Sequence, residues 1–145
     1  MKECILVSRC LLGEPCRYDG RSKPDQRVME LEQGYCLVPV CPEVLGGLPT
    51  PRPPAEIQPD GRVVNREGKD VTREYEEGAR LALELAVREG CRTAVLKENS
   101  PSCGCREIYD GSFSKRLIPG EGVAAKLLRE HGIRVLGESD VDGLE

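Results

Sequence analysis

Residues 72–96, TREYEEGARLALELAVREGCRTAVL, join a long amphipathic helix to a short apolar strand. From residue 72 to 89 the apolar side chains recur at helical spacing, so they fall on one face. Gly90 stands where a helix C-terminal cap belongs, and Thr93–Leu96 is an apolar run of strand length. A helix, a glycine turn and a strand in this order are typical of the crossover between parallel strands in α/β proteins.

The same rhythm extends outward from this unit in both directions. Apolar runs of strand length occupy residues 5–7, 37–40 and 133–136, and helices are predicted at 24–33 and 123–131. Three helices that separate four strands predict an α/β fold. We expect a single three-layer Rossmann-like domain with a mainly parallel sheet and helices on both faces.

The predicted domain covers residues 1–138, and residues 139–145 are expected to form a flexible C-terminal tail. A chain of 145 residues is long enough for one hydrophobic core. No repeat or low-complexity tract divides it further.

Two stretches interrupt the regular pattern. Residues 41–57 hold five prolines and two adjacent glycines, so we expect an irregular loop without a regular element. Residues 98–114 contain Asp110-Gly111, a hairpin signal between residues 108–109 and 112–113. Long ordered loops in a domain of this size are usually functional.

Composition excludes several classes of function. A formal net charge of -4 without a basic run argues against a nucleic-acid partner. The chain has no apolar stretch long enough to span a membrane and no pattern of a signal peptide, so we expect a cytoplasmic protein without a membrane partner. His131 is the single histidine, which excludes a two-histidine metalloprotease helix.

Eight cysteines make sulfur chemistry the strongest signal of the sequence. In a reducing cytosol they are expected as ligands, nucleophiles or small buried residues rather than disulfides. Three of them precede predicted strands and are expected to be buried hydrophobic residues: Cys4, Cys36 and Cys91. The other five lie toward the opposite pole.

Cys10, Cys41 and Cys103 each follow a predicted strand. Because ligands bind at the carboxyl ends of the strands in an open parallel sheet, these three thiols can converge there. Three thiolates can hold zinc or an iron-sulfur cluster, and Pro42 directly after Cys41 is typical of cluster-binding runs.

Two further cysteines, Cys16 and Cys105, lie at the same pole and can supplement a ligand. Two alternatives to an enzyme with an open metal position therefore remain. One is a zinc or iron-sulfur binding module without catalysis. The other is a thiol redox or sulfur-carrier protein that uses Cys103 and Cys105 as a pair.

Polar side chains near these cysteines are candidates for catalysis and substrate binding. Glu43 can act as a general base for water. Ser100 and Ser102 can donate hydrogen bonds to a substrate, or only close a turn. Arg52 and Lys97 can hold a polar or anionic substrate.

Five blocks together resemble the thiouracil desulfidase family: SRCLLGEPCRYDG, VPVCPEVLGGLPTPRPPAE, DVT, LKENSPSCG with EIYDGSF, and GEGVAAKLL. The resemblance runs from about Cys4 to Glu138. It implies an α/β domain that holds a four-iron four-sulfur (4Fe-4S) cluster through three cysteines, which match Cys10, Cys41 and Cys103.

The resemblance also implies an enzyme that removes sulfur from a thiolated pyrimidine such as 2-thiouracil, giving uracil and sulfide without redox chemistry. A glutamate and a serine assist in this family, and they match Glu43 and Ser100. We expect Ser102, Arg52 and Lys97 to contact the substrate. This sequence departs from the family pattern of three cysteines, because it carries two more at the same pole, Cys16 and Cys105.

Overall fold

A computed structural model describes residues 2–144 of the chain. The strands are β1 (Glu3–Ser8), β2 (Tyr35–Val40), β3 (Ala55–Ile57), β4 (Val63–Asn65), β5 (Thr93–Leu96), β6 (Glu107–Tyr109), β7 (Leu117–Pro119) and β8 (Arg134–Gly137). The α-helices are α1 (Gln26–Met29), α2 (Pro42–Leu45), α3 (Thr72–Arg88) and α4 (Val123–Glu130). Short 3-10 helices occupy Arg9–Leu12, Glu30–Gln33 and Glu138–Leu144.

The central sheet has four parallel strands in the order β2-β1-β5-β8. The mixed α/β fold with a parallel sheet is therefore confirmed. The chain moves from β1 to one neighbour, β2, and later returns to the other neighbour, β5. The strand order thus reverses beside β1, where open α/β sheets bind their ligands.

The two faces of this sheet carry separate cores. One face packs against α3 and α4, and its buried residues include Leu6, Val38, Val40, Ala82, Ala86, Ala94, Leu96, Ala125 and Leu128. The other face packs against α1 and two of the 3-10 helices, with Ile5, Val7, Leu11, Val28, Val95 and Val141 buried. Neighbouring residues of β1 alternate between the two cores because successive side chains of a strand point to opposite faces.

The helix predicted at 72–89 is α3, which ends one residue earlier, and Gly90 adopts a positive φ of 70° directly after it. Its buried face consists of Tyr75, Gly78, Ala79, Ala82 and Ala86. Among the described residues, no helix combines the length and the apolar character that crossing a membrane requires.

The helix predicted at 24–33 is shorter and divided. Asp25 caps α1 by accepting a hydrogen bond from the backbone N–H of Val28 at 3.1 Å, so the helix begins at Gln26 rather than at Pro24. After Met29 the chain tightens into the 3-10 helix Glu30–Gln33. The amphipathic pattern predicted the location of the helix, but not the change from α-helix to 3-10 helix in its second half.

The proline-rich stretch 41–57 was expected to lack regular elements, and this expectation is wrong. Pro42 stands in the first turn of α2, where its missing N–H costs nothing. The end of the stretch forms β3, which pairs with β4 as an antiparallel ribbon beside the main sheet.

The hairpin at 98–114 also differs from the expectation. β6 pairs with β7, so residues 112–113 belong to the connecting loop and not to a strand. Phe113 and Lys115 take positive φ values of 58° and 64°, which a strand does not allow. The loop is therefore wider than the Asp110-Gly111 signal predicts.

The C-terminal stretch expected as a flexible tail forms a 3-10 helix instead, at Glu138–Leu144. Its Val141 is only 3% exposed, and the Tyr35 hydroxyl donates a hydrogen bond to the Leu144 carbonyl at 2.8 Å. Burial of Val141, with Leu144 packed against the same core, thus holds this segment on the domain. Residue 145 of the expected tail lies outside the described residues.

α2 lies against α3 at backbone contact distance. A Cβ on Gly78 would collide with the carbonyl oxygen of Pro42, and a Cβ on Gly46 would collide with the carbonyl oxygen of Glu74. Glycine is required at both positions because the obstructing atoms belong to the backbone and cannot rotate away. This contact sets the position of the segment that carries Cys41 and Glu43.

We expect Gly78→Ala to lower the free energy of unfolding by about 1–3 kcal/mol, the usual cost of overpacking. The gain in helix propensity from alanine, about 1 kcal/mol, opposes this cost but does not relieve the collision. Urea denaturation monitored by circular dichroism measures the change. Gly34→Ala is the control, since a Cβ there meets no atom within 4 Å, and an equal loss in both variants would contradict the prediction.

Candidate functional site

Cys10 lies directly beyond the carboxyl end of β1. The strand ends at Ser8, and the chain turns at once into the 3-10 helix Arg9–Leu12. The Cys10 carbonyl accepts hydrogen bonds from the backbone N–H groups of Gly13 and Lys23. These bonds hold the cysteine at the end of the sheet, with the residue 7% exposed.

Cys41 follows β2 without a spacer and is the N-terminal cap residue of α2. Glu43 stands in the first turn of that helix. The strand end and the short helix therefore place a thiol and a carboxylate two residues apart at the same pole of the sheet.

Cys103 lies seven residues beyond β5, in a turn that is bound to the start of α4. The Ser100 hydroxyl accepts hydrogen bonds from the backbone N–H groups of Ser102 and Cys103, at 3.0 and 3.1 Å. The carbonyls of Pro101 and Ser102 in turn accept from the first backbone N–H groups of α4. The turn and the helix end satisfy each other's polar groups, which fixes the position of Cys103.

The three predicted thiols line one cavity of about 700 Å³ at the carboxyl ends of the strands. Cys16 lines it as well. The Cys10 thiol is the main cause of the raised Cys16 pKa, because Cys16 donates toward that sulfur, and the Cys41 thiol donates to the Cys16 carbonyl at 3.9 Å. Hydrogen bonding to Cys16, followed by burial, raises the pKa of Cys41 well above its usual range.

Among the described residues, no three side chains of histidine, cysteine, aspartate or glutamate are close enough to hold a single metal ion. The thiols of Cys10, Cys41 and Cys103 nevertheless line one shared cavity.

Glu43 is held from both sides. Its Oε2 atom pairs with the Arg52 guanidinium at 2.8 Å, and its Oε1 atom accepts a hydrogen bond from the Ser100 hydroxyl at 3.4 Å. Because the Ser100 oxygen already accepts from two backbone N–H groups, its one proton is free to point at Glu43. The carboxylate is thus fixed at the cavity wall, where it is 14% exposed.

Arg52 is nearly enclosed, with its side chain 4% exposed. Besides Glu43 its donors reach the carbonyls of Pro49 and Cys16 and the hydroxyl of Thr50, at 3.0–3.1 Å. Burial opposes the charge of Arg52, but the Glu43 carboxylate outweighs it and raises the Arg52 pKa. The guanidinium is therefore occupied by the protein itself.

The other two residues expected at the substrate differ in placement. Lys97 lines the cavity, and its ammonium lies 3.0 Å from both the Glu138 carboxylate and the Glu98 carbonyl. Ser102 is fully buried and is not part of the cavity wall. Its hydroxyl finds no hydrogen-bond partner within the described part of the chain.

Part of the cavity wall is a loop, around Phe113, that sequence reasoning missed. Phe113, the single phenylalanine of the chain, lines the cavity, and the Arg66 guanidinium lies 5.8 Å from its ring centre. The buried Glu56 carboxylate accepts from the backbone N–H groups of Gly111 and Phe113, at 3.0 and 3.1 Å. A buried carboxylate therefore holds the loop in its positive-φ conformation. The sequence block EIYDGSF, which contains Phe113, was the one pattern that could have indicated this part of the cavity.

Cys105 lies apart from this cavity, in a smaller polar pocket beside Arg106. Burial raises the pKa of Cys103 to about 12, and the Glu43 carboxylate adds to the effect. Burial also raises the pKa of Cys105, which is only partly exposed, so neither thiol is the exposed, low-pKa thiol that dithiol exchange requires. These environments disfavour the interpretation of Cys103 and Cys105 as a redox couple.

Comparison with known proteins identifies the family to which this arrangement belongs. Residues 5–140 match the 2-thiouracil desulfurase family. The chain belongs to this family. The match begins within β1 and ends within the final 3-10 helix, and it confirms the resemblance seen in the sequence blocks.

Two relatives extend the comparison. The solved structure of TudS, a 4Fe-4S-dependent thiouracil desulfidase, is 50% identical, with a TM-score of 0.92, and the likeness covers 99% of this chain and 95% of TudS. The uncharacterized protein YbbK of Bacillus subtilis (strain 168) is 42% identical over 149 residues, which cover 97% of this chain and 99% of YbbK. The likeness therefore extends over nearly the whole of this chain and of both relatives.

In metal-free protein we expect iodoacetamide to modify Cys36 at least ~10-fold faster than Cys103, because thiolate fraction and access control alkylation. Cys36 is exposed, whereas Cys103 is buried and its pKa is about 12. Peptide mass spectrometry over a time course at pH 8 measures both rates. In urea the two rates should converge, and comparable rates in the folded protein would argue against the burial of Cys103.

Proposed function

We propose that this protein is a desulfidase that removes sulfur from a thiolated pyrimidine such as 2-thiouracil. The overall reaction adds one water and releases hydrogen sulfide, so that a C=S bond becomes C=O without net oxidation or reduction. The observation that carries the proposal is the convergence of three strand-end thiols on one cavity beside the fixed Glu43–Ser100 pair. Membership of the 2-thiouracil desulfurase family and the likeness to TudS support it.

The proposed cofactor is a 4Fe-4S cluster, and Cys10, Cys41 and Cys103 would hold it. The donor set fits, since soft thiolates are the ligands that such clusters use. The Ser102 hydroxyl, which has no hydrogen-bond partner among residues 2–144, also fits this cofactor, because it could donate to a charged ligand sulfur nearby. When bound through three cysteines, a cluster supplies an iron without a protein ligand, which is a soft Lewis acid for thiocarbonyl sulfur.

Glu43 is proposed as the general base. It lines the same cavity as the thiols, so its Oε1 atom can accept a proton from a water that attacks the thiocarbonyl carbon. Arg52 is assigned to holding the other carboxylate oxygen rather than to substrate contact, because its remaining donors already have acceptors in the protein. Ser100 orients Glu43 and completes the turn before Cys103.

The cavity suits a flat heteroaromatic substrate. Phe113 lines the cavity with an aromatic ring, and planar rings pack against aromatic side chains with a gain of about 0.5–1.5 kcal/mol. Lys97 retains one free donor for a substrate oxygen, whereas Ser102 is assigned to the protein interior. We therefore keep Lys97 as a proposed substrate-binding residue and no longer assign substrate binding to Ser102.

Three broader expectations belong to this proposal. Helices on both faces of the sheet favour a three-layer Rossmann-like description, with residues 1–138 as a single domain. Eight free cysteines favour the reducing cytoplasm as the location. The acidic balance of charges favours a small-molecule substrate over a nucleic acid.

We expect anaerobically prepared protein to be brown with about four irons per chain, and Cys10→Ala, Cys41→Ala and Cys103→Ala each to lose most of this iron. Removing one of the three cysteine ligands would leave a second iron without a protein ligand, so the cluster would be held less tightly. Iron and sulfide analysis with ultraviolet-visible spectra measures the loss. Cys36→Ala is the matched control at the opposite pole, and full iron content in Cys41→Ala would contradict the ligand set.

We expect Glu43→Gln to keep its iron but to release sulfide at least ~100-fold more slowly, the usual scale for a lost general base. The amide oxygen can still accept from Arg52, so the site stays folded, but the amide cannot take a proton from water. Sulfide release is measured from a thiopyrimidine at equal iron loading. Glu76→Gln on the exposed face of α3 is the control, and a near-normal rate in Glu43→Gln would remove this residue from the mechanism.

A further inference from the structure

Ser8 ends β1 beside the cavity and is 3% exposed. The backbone N–H of Lys97, at the end of the neighbouring strand β5, donates a hydrogen bond to the Ser8 hydroxyl oxygen at 2.9 Å. A hydroxyl group that accepts in this way still has one proton to donate. The position of that proton is therefore constrained by the main chain of β5.

The acceptor that Ser8 meets is the sulfur of Cys103, at 3.7 Å. This distance lies within the range for hydrogen bonds to sulfur, and both groups are buried. The ladder of β1 and β5 fixes the donor, and the turn bound to α4 fixes the acceptor. The pair joins two parts of the chain that lie 95 residues apart.

The position of Cys103 makes this contact consequential. A thiolate in a buried site has lost the hydration that would stabilise its charge, so each donor that faces the sulfur has a large effect. The Ser8 hydroxyl acts on the sulfur from the β1 side, and the neighbouring residue Ser102 brings a second buried hydroxyl that has no partner within the described residues. Neither serine has a role in the chemistry assigned to Glu43 and Ser100.

We propose that Ser8 is a positioning residue whose hydroxyl donates a hydrogen bond to the Cys103 sulfur when that sulfur ligates the cluster. The inference rests on the proposed function, since it takes Cys103 as a ligand. Hydrogen bonds to ligand sulfurs help to set the reduction potential of iron-sulfur clusters, because they stabilise the more negative, reduced form. With the cluster bound, the Ser8 hydroxyl would therefore stabilise negative charge on the Cys103 sulfur and raise the reduction potential of the cluster.

The test compares anaerobically loaded wild type with Ser8→Ala. We expect Ser8→Ala to show a more negative reduction potential in spectroelectrochemical titration. In resonance Raman spectra, the Fe–S(Cys) stretching bands should lose part of the shift that transfer to deuterated water causes. A serine that only supports the fold would move thermal stability but neither of these signals at equal iron content.

Ser8→Thr and Ser8→Val form a matched pair, because the two side chains have nearly the same shape and differ in the hydroxyl group. We expect Ser8→Thr to resemble the wild type and Ser8→Val to resemble Ser8→Ala in potential and isotope shift. If loss of the hydroxyl prevents cluster retention altogether, Ser8→Thr should keep iron where Ser8→Val does not. Equal behaviour of the pair, or an unchanged potential in loaded Ser8→Ala, would overturn the inference while leaving the proposed function intact.

The proposed function fails in a different way. Wild-type protein that takes up no iron, or Cys103→Ala with a full complement of iron, would remove Cys103 as a ligand and overturn the Ser8 role with it. Iron analysis of these two samples comes before the potential is measured, so the two failures are distinguishable.

Discussion

The parallel pairing of β1 with β2 on one side and β5 on the other is the constraint on which the rest of the structure depends. Its backbone ladder aligns Ser8 with Val40 and Val7 with Val95, so the three strands end at the same level. Whatever follows these ends must share one pole of the sheet. The cysteines of the site follow all three strands, and the cavity between them is a direct consequence of strand order.

Rigid backbone contacts turn this shared pole into a defined site. Two glycines allow α2 to lie against α3, and the first N–H groups of α4 bind the carbonyls of the turn that carries Cys103. Neither contact depends on flexible side chains. The site is thus anchored through main-chain atoms, which suits a group that must be held by three ligands at once.

The eight cysteines divide by environment as well as by position. Cys10, Cys16, Cys41 and Cys103 line the cavity, while Cys4 and Cys36 face each other across β1 and β2 at the opposite end. The expectation of buried residues at that end holds for Cys91 alone, since Cys36 is exposed and Cys4 is partly so. The thiols at one end of the sheet therefore share a cavity, whereas those at the other end differ in solvent exposure.

The sequence by itself determined the parallel α/β fold and the three strand-end thiols, because helical and strand periodicity are local and strand ends follow from them. It also placed Glu43 and Ser100 at the correct pole. Only the tertiary structure decided the surroundings of these groups, such as Arg52 beside Glu43, Ser8 beside Cys103, and Phe113 in the wall of the same cavity. Each of these contacts joins elements that pack together only after the chain has folded, and no local pattern encodes which side chains then meet.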